Sequence, residues 1–182
     1  QRHIDIQWGN HDILWLGAAG GSPACVFTVL RITCDYDNEL TLERRYGVSL
    51  RALSEFCERV YGSADKKTRK LALSVLGFKL EGQVIMRHPG YNMDDRLMLN
   101  RIDYDNWTVS LDSGVYPLNT THLPTIDPAD PYKLSAEESA LVDEYVDAFG
   151  DSQALRRHLD FIYQRGSTYL TCNGNLLVHG CI

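Results

Sequence analysis

A chain of 182 residues is long enough to bury one core, since folding at about this size hides roughly 70% of the extended surface. Its formal net charge of -6, from Lys+Arg 18 against Asp+Glu 24, leaves no concentrated basic face and argues against a nucleic-acid partner. No apolar run reaches the ~20 residues that span a bilayer. The five cysteines, odd in number and without C-x-x-C spacing, fit neither a disulfide framework nor a thiolate zinc site, which makes a reducing cytosol the simplest setting.

The start, Gln1-Arg2-His3, has no signal-peptide layout and no initiator Met. Ile4, Ile6 and Trp8 alternate with polar residues and predict a short strand ending at Gly9, with Asn10-His11-Asp12 directly behind it. The apolar stretch 13–32 reads as buried helix, broken in two by Gly20, Gly21 and Pro23. Leu50, Leu53, Phe56, Cys57, Val60 and Tyr61 share one helical face, and Gly62 supplies the stop. A further amphipathic helix covers 66–86, where Lys66, Lys67, Arg69 and Lys70 read as a solvated face.

Over 104–118 two β-prone runs flank Asp112-Ser113-Gly114 and predict a hairpin. Pro124, Pro128 and Pro131 stiffen the connector before Ser135-Ala136-Glu137-Glu138, a capping box that opens a helix closed by Gly150. Another helix follows over 152–164. The extended runs 167–172 and 175–178 meet at Asn173-Gly174, the strongest short-range hairpin signal. The order predicts an α/β or α+β protein whose first and last strands share one sheet. N-x-T triplets at Asn106 and Asn119 carry weight only in a secreted chain.

Asn10 and His11 follow one predicted strand and His179 follows another, the place where α/β proteins set their ligands. An amide oxygen and a neutral imidazole both ligate divalent ions of intermediate softness. A lone Asn after Gly is also a common turn residue, and a lone His at a strand end a common packing residue. Arg87, His88, Asp94, Asp95 and Arg96 form a charged cluster that reads as caps and solvated surface. His3, His122 and His158 lack ligand spacing, and Cys181, two residues from His179, reads as a packing thiol rather than a nucleophile.

Gly9-Asn10-His11-Asp12 resembles the third motif of the binuclear metallophosphatases, and Leu177-Val178-His179-Gly180 resembles their later His-Gly motif. Stretches such as Lys79-Leu80-Glu81-Gly82-Gln83, Met93-Asp94-Asp95-Arg96-Leu97 and Asn173-Gly174-Asn175 carry the likeness along the whole chain, which resembles class III fructose-1,6-bisphosphatase of the calcineurin-like superfamily. The resemblance implies part of a calcineurin-like sandwich with a large helical insertion and a small β-hairpin. Residues 1–34 and 167–182 are then core, and 35–166 insertion. It further implies hydrolysis of a sugar bisphosphate at a centre of two divalent ions, Mn first among them, with Asn10 and His179 as metal ligands. His11 is implied as proton donor to the leaving oxygen, and Asp12 as the residue that orients its surroundings.

The upstream Asp-x-His and Gly-Asp-x-x-Asp motifs and the final His motif of that superfamily are absent, so the chain is expected to be an internal fragment of a cytoplasmic enzyme and inactive alone. A protein Ser/Thr phosphatase or dinucleotide polyphosphate hydrolase shares the metal motif. The long helix-and-hairpin stretch between Asp12 and His179 argues against both. A non-catalytic helical module for homo-oligomerisation or regulation is the alternative from outside enzymology, and no nucleic-acid or membrane partner is expected.

Overall fold

The computed structural model describes residues 4–180, so His3 and Cys181 lie outside the described residues. The chain divides into two compact units, Gln1–Ser49 with Glu144–Ile182 and Leu50–Asp143.

In the first unit β1 (Ile6–Gln7) pairs in parallel with β5 (Gly166–Ser167), in the register Ile6 to Gly166 and Gln7 to Ser167. Trp8 extends this tie: its backbone N–H donates to the Ser167 carbonyl at 2.9 Å, and its indole Nε1–H to the Ile162 carbonyl at 3.0 Å. α1 (Asn10–Ala19) starts at once after Gly9. The expected break follows, because Gly21 takes a left-handed φ of 86° and α2 (Pro23–Asp35) opens with Pro at its start under a Ser22 cap. α2 buries Val26, Phe27, Val29, Leu30 and Cys34, and the Phe27 ring meets Tyr145 edge to face at 5.9 Å. α3 (Glu39–Thr41) runs into a π-helical turn, Leu42–Tyr46, which Gly47 ends at φ 74°. No periodicity in 36–49 announces either element.

α7 (Gln153–Arg165), capped by the Ser152 hydroxyl, leads into β5. The expectation that first and last strands share a sheet is corrected here. β6 (Tyr169–Cys172) and β7 (Asn175–Val178) form their own antiparallel pair, while β1 takes β5. The extended run over 167–172 bends at Thr168, where the Ser167 hydroxyl donates to the Tyr169 carbonyl at 2.6 Å, so its two halves pair with different neighbours. Asn173 and Gly174 hold φ of 50° and 74°, the pair of left-handed residues that a two-residue type I′ turn requires.

In the second unit α4 (Arg51–Tyr61) and α5 (Lys66–Arg87) are the two amphipathic helices expected. Asp65 caps α5 by accepting the Thr68 N–H at 2.7 Å. α5 buries Ala72, Leu73, Leu76, Leu80 and Ile85 at helical spacing, and Lys79 among them. Short 3₁₀ turns lead to an antiparallel sheet of β2 (Ile102–Asp103), β3 (Thr108–Leu111) and β4 (Gly114–Pro117), in which β2 adds a strand to the expected hairpin. α6 (Ala136–Asp151) opens on the expected box, with Glu138 N–H donating to Ser135 Oγ at 3.1 Å and Ser135 N–H to Glu138 Oε2 at 2.8 Å. Glu138 Oε2 also takes the Lys79 ammonium at 2.7 Å, both side chains being fully buried. The fold is mixed α/β, mostly helix with small sheets. Among the described residues no helix is long and apolar enough to cross a membrane.

Candidate functional site

The strand β1 delivers the chain to Gly9, and β7 ends one residue before His179. The two meet. A Cβ built on Gly9 would stand 2.7 Å from both Nε2 and Cδ2 of His179, inside any real contact, so the imidazole lies directly against the Gly9 backbone. Asn10, the next residue, is exposed and lines a cleft of about 420 Å³ together with His179, Trp8, Ile13, Thr168 and Val178. Asn10 and His179, one from each motif, therefore share one cleft.

Asp12 does a different job. Its Oδ2 accepts the Gly9 N–H at 2.8 Å and closes the first turn of α1, where a carboxylate also suits the positive end of the helix dipole. His11 does not enter the cleft of Asn10 and His179. Successive helical residues point about 100° apart, and His11 lines a second cleft of about 520 Å³ with Trp15, Tyr36, Asn38, Thr41 and Tyr46. The first turn of α1 thus separates two hollows, one holding Asn10 and His179 and the other His11.

The donor chemistry of Asn10 and His179, one amide oxygen and one imidazole nitrogen, suits a divalent ion of intermediate softness. Among the described residues no group of three or more His, Cys, Asp or Glu could hold a metal. Arg87, His88, Asp94, Asp95 and Arg96 are exposed, with the His88 ring stacked on Tyr91 at 5.0 Å. His122 and His158 pack edge to face on Tyr61 and Tyr46.

Two features escape a reading of the sequence. One is the second cleft, which forms from residues spread over α1, α2 and the turn at Leu42–Tyr46. The other is the buried Lys79, whose partner Glu138 is visible only as a capping residue. Burial also pushes the pKa of the Tyr61 hydroxyl up to about 12.

A family model for Firmicute fructose-1,6-bisphosphatase matches residues 1–182. The chain is 45% identical over 199 aligned residues to "Fructose-1,6-bisphosphatase class 3" of Clostridium novyi (strain NT), covering 98% of this chain and 30% of that protein. It is 44% identical to the protein of that name from Clostridium tetani (strain Massachusetts / E88), with the same coverage. To that of Lacticaseibacillus casei (strain BL23) it is 41% identical, over 100% of this chain and 32% of the relative. The chain therefore spans about 30% of the length of the curated relatives it matches. No solved structure matches it.

Proposed function

We propose, because this chain belongs to the Firmicute fructose-1,6-bisphosphatase family, that it is part of an enzyme hydrolysing the 1-phosphate ester of fructose 1,6-bisphosphate. The products are fructose 6-phosphate and phosphate, a cytoplasmic step of gluconeogenesis. The observation that supports this best is the meeting of Asn10 and His179 over Gly9 in one cleft. The relatives quoted are all named fructose-1,6-bisphosphatases, which favours a sugar bisphosphate over a phosphoprotein as substrate.

In this reading residues 1–34 and 167–182 belong to a calcineurin-like metallophosphatase core and 35–166 to a mainly helical insertion. Asn10 Oδ1 and a His179 ring nitrogen would hold a divalent ion, Mn first among the candidates, as one of two in the whole enzyme. Such ions, when bound, supply charge to the phosphate oxygens and acidify a water. The chain's own residues do the rest. His11 gives its proton to the sugar oxygen as the P–O bond breaks. Asp12, through the Gly9 N–H, keeps the turn that carries Asn10 and His11 in place.

The test is phosphate release from fructose 1,6-bisphosphate by the whole Mn-loaded enzyme, with metal content measured on the same samples. We expect His11→Ala to lower turnover about 10²–10⁴-fold at near wild-type metal content, and His179→Ala to lose metal first. Equal metal loss in both variants removes His11 from its role. A wild-type enzyme that releases no phosphate from the bisphosphate overturns the substrate.

A further inference from the structure

The second cleft, at about 520 Å³, falls within the roughly 300–1,000 Å³ typical of small-molecule sites. Its lining sets the rings of Trp15, Tyr36 and Tyr46 beside the polar Asn38 and Thr41, and includes His11 from the first turn of α1. Trp15 and Tyr46 are held in place by a run of ring contacts. Phe149 lies 5.9 Å from Trp15, Trp15 lies 5.4 Å from Tyr46, and Tyr46 lies 5.8 Å from His158. The Asn38 side chain stands at the start of α3 and makes no capping hydrogen bond there. Fixed flat rings with a few polar groups suit a ligand that has one apolar ring face and several hydroxyls.

Charge narrows the class. Arg44 and Arg45 belong to the π turn whose two ends, Leu42 and Tyr46, line the cleft. Both arginines are exposed, and neither has an acidic partner among the described residues. The acids of the same stretch are already engaged, Asp37, Glu39 and Glu43 by other contacts and Asp35 by Arg31 at 3.6 Å. In a chain of net charge -6, two guanidinium groups without an acidic partner, on the turn whose ends line the cleft although neither arginine is in the lining itself, favour an anion nearby. Their forked donors match phosphate.

The geometry points to this cleft as the subsite for the sugar and its second phosphate. The furanose packs on Trp15 and Tyr46, its hydroxyls meet Asn38 and Thr41, and the phosphate that is retained meets Arg44 and Arg45. This rests on the bisphosphatase reading above. It sets the substrate astride the first turn of α1, with the phosphate to be removed on the side of Asn10 and His179 and the leaving sugar oxygen at His11.

The experiment is a specificity ratio in the whole enzyme: kcat/KM for fructose 1,6-bisphosphate divided by kcat/KM for phenyl phosphate, which has neither sugar nor second phosphate. We expect Asn38→Ala and the double variant Arg44→Ala/Arg45→Ala to lower the ratio about tenfold or more, with the loss carried by KM for the bisphosphate. Trp15→Leu should lower it further. A ratio that stays at the wild-type value in the Asn38 and arginine variants overturns the subsite, whether the two activities fall together or stand still. Those positions are exposed and decide the matter even when Trp15→Leu does not fold. A wild-type enzyme that cleaves phenyl phosphate but not the bisphosphate overturns the function itself, a different result.

Discussion

At position 9 the backbone takes φ -88°, a value open to any residue, so the glycine there answers a shortage of space and not of conformational freedom. The space is taken by His179, whose Nε2 lies where only a hydrogen can be tolerated. Gly-Asn-His is legible in the sequence as a motif. The reason for its glycine is not, because the ring that presses on it arrives from the far end of the chain. Gly9→Ala should swing the His179 ring away from Asn10 and leave His11 and Asp12 where they are. We expect metal binding by the whole enzyme to weaken about 10–100-fold, the loss seen when a supporting contact of a ligand is removed, as read by Mn titration. Wild-type affinity in that variant would mean that the contact with Gly9 does not hold the ring.

Helices were the legible elements. α4, α5, α6 and α7 each carry an apolar stripe with a cap or stop in the residue directly flanking it, and the β6–β7 turn is written in Asn173-Gly174. The pairing of β1 with β5 was hidden, since strands of two residues have no period and their register is set by Trp8 reaching Ser167 and Ile162. Lys79 was hidden for a similar reason. On α5 it sits among Leu76, Leu80 and Ala72, and only the fold shows that the Glu138 of the capping box, with the Thr125 carbonyl at 2.6 Å, holds its ammonium. Breaking such a pair leaves an uncompensated buried charge, which costs about 3–5 kcal/mol. Lys79→Met should therefore be strongly destabilising in urea unfolding. The double variant Lys79→Met/Glu138→Leu should be less so, although it forfeits the cap, worth about 1 kcal/mol. A single variant within experimental error of wild type would show that Glu138 sheds its charge at little cost.

For the whole molecule, the family was legible from motifs and the site only in part, because the sequence shows which residues carry chemistry but not which hollows they face. His11 adjoins Asn10 in the motif, yet the first turn of α1 directs it into the other cleft. The same accounting of donors leads to the last prediction, that these 182 residues alone release no phosphate from fructose 1,6-bisphosphate with Mn, Mg or Zn. Catalysis at a two-ion centre needs several ligands per ion, held in fixed geometry with a position left open. The described residues offer Asn10 and His179 in one cleft and no group of three or more His, Cys, Asp or Glu. Both are exposed side chains. The strands that precede them are short and, among the described residues, paired on one edge only, with Tyr169 at 59% and Leu176 at 58% exposure, so unpaired N–H and C=O groups stand beside bare apolar surface. Strands of that kind fray or associate, which loosens Asn10 and His179, the pair proposed as ligands. The measurement sets the 182-residue chain against a longer protein of the length of the curated relatives, with phosphate release read at equal molar concentration. Turnover by the short chain comparable to the long one would sink the argument, and the donors to search first would then be His88, Asp94 and Asp95, exposed in the second unit.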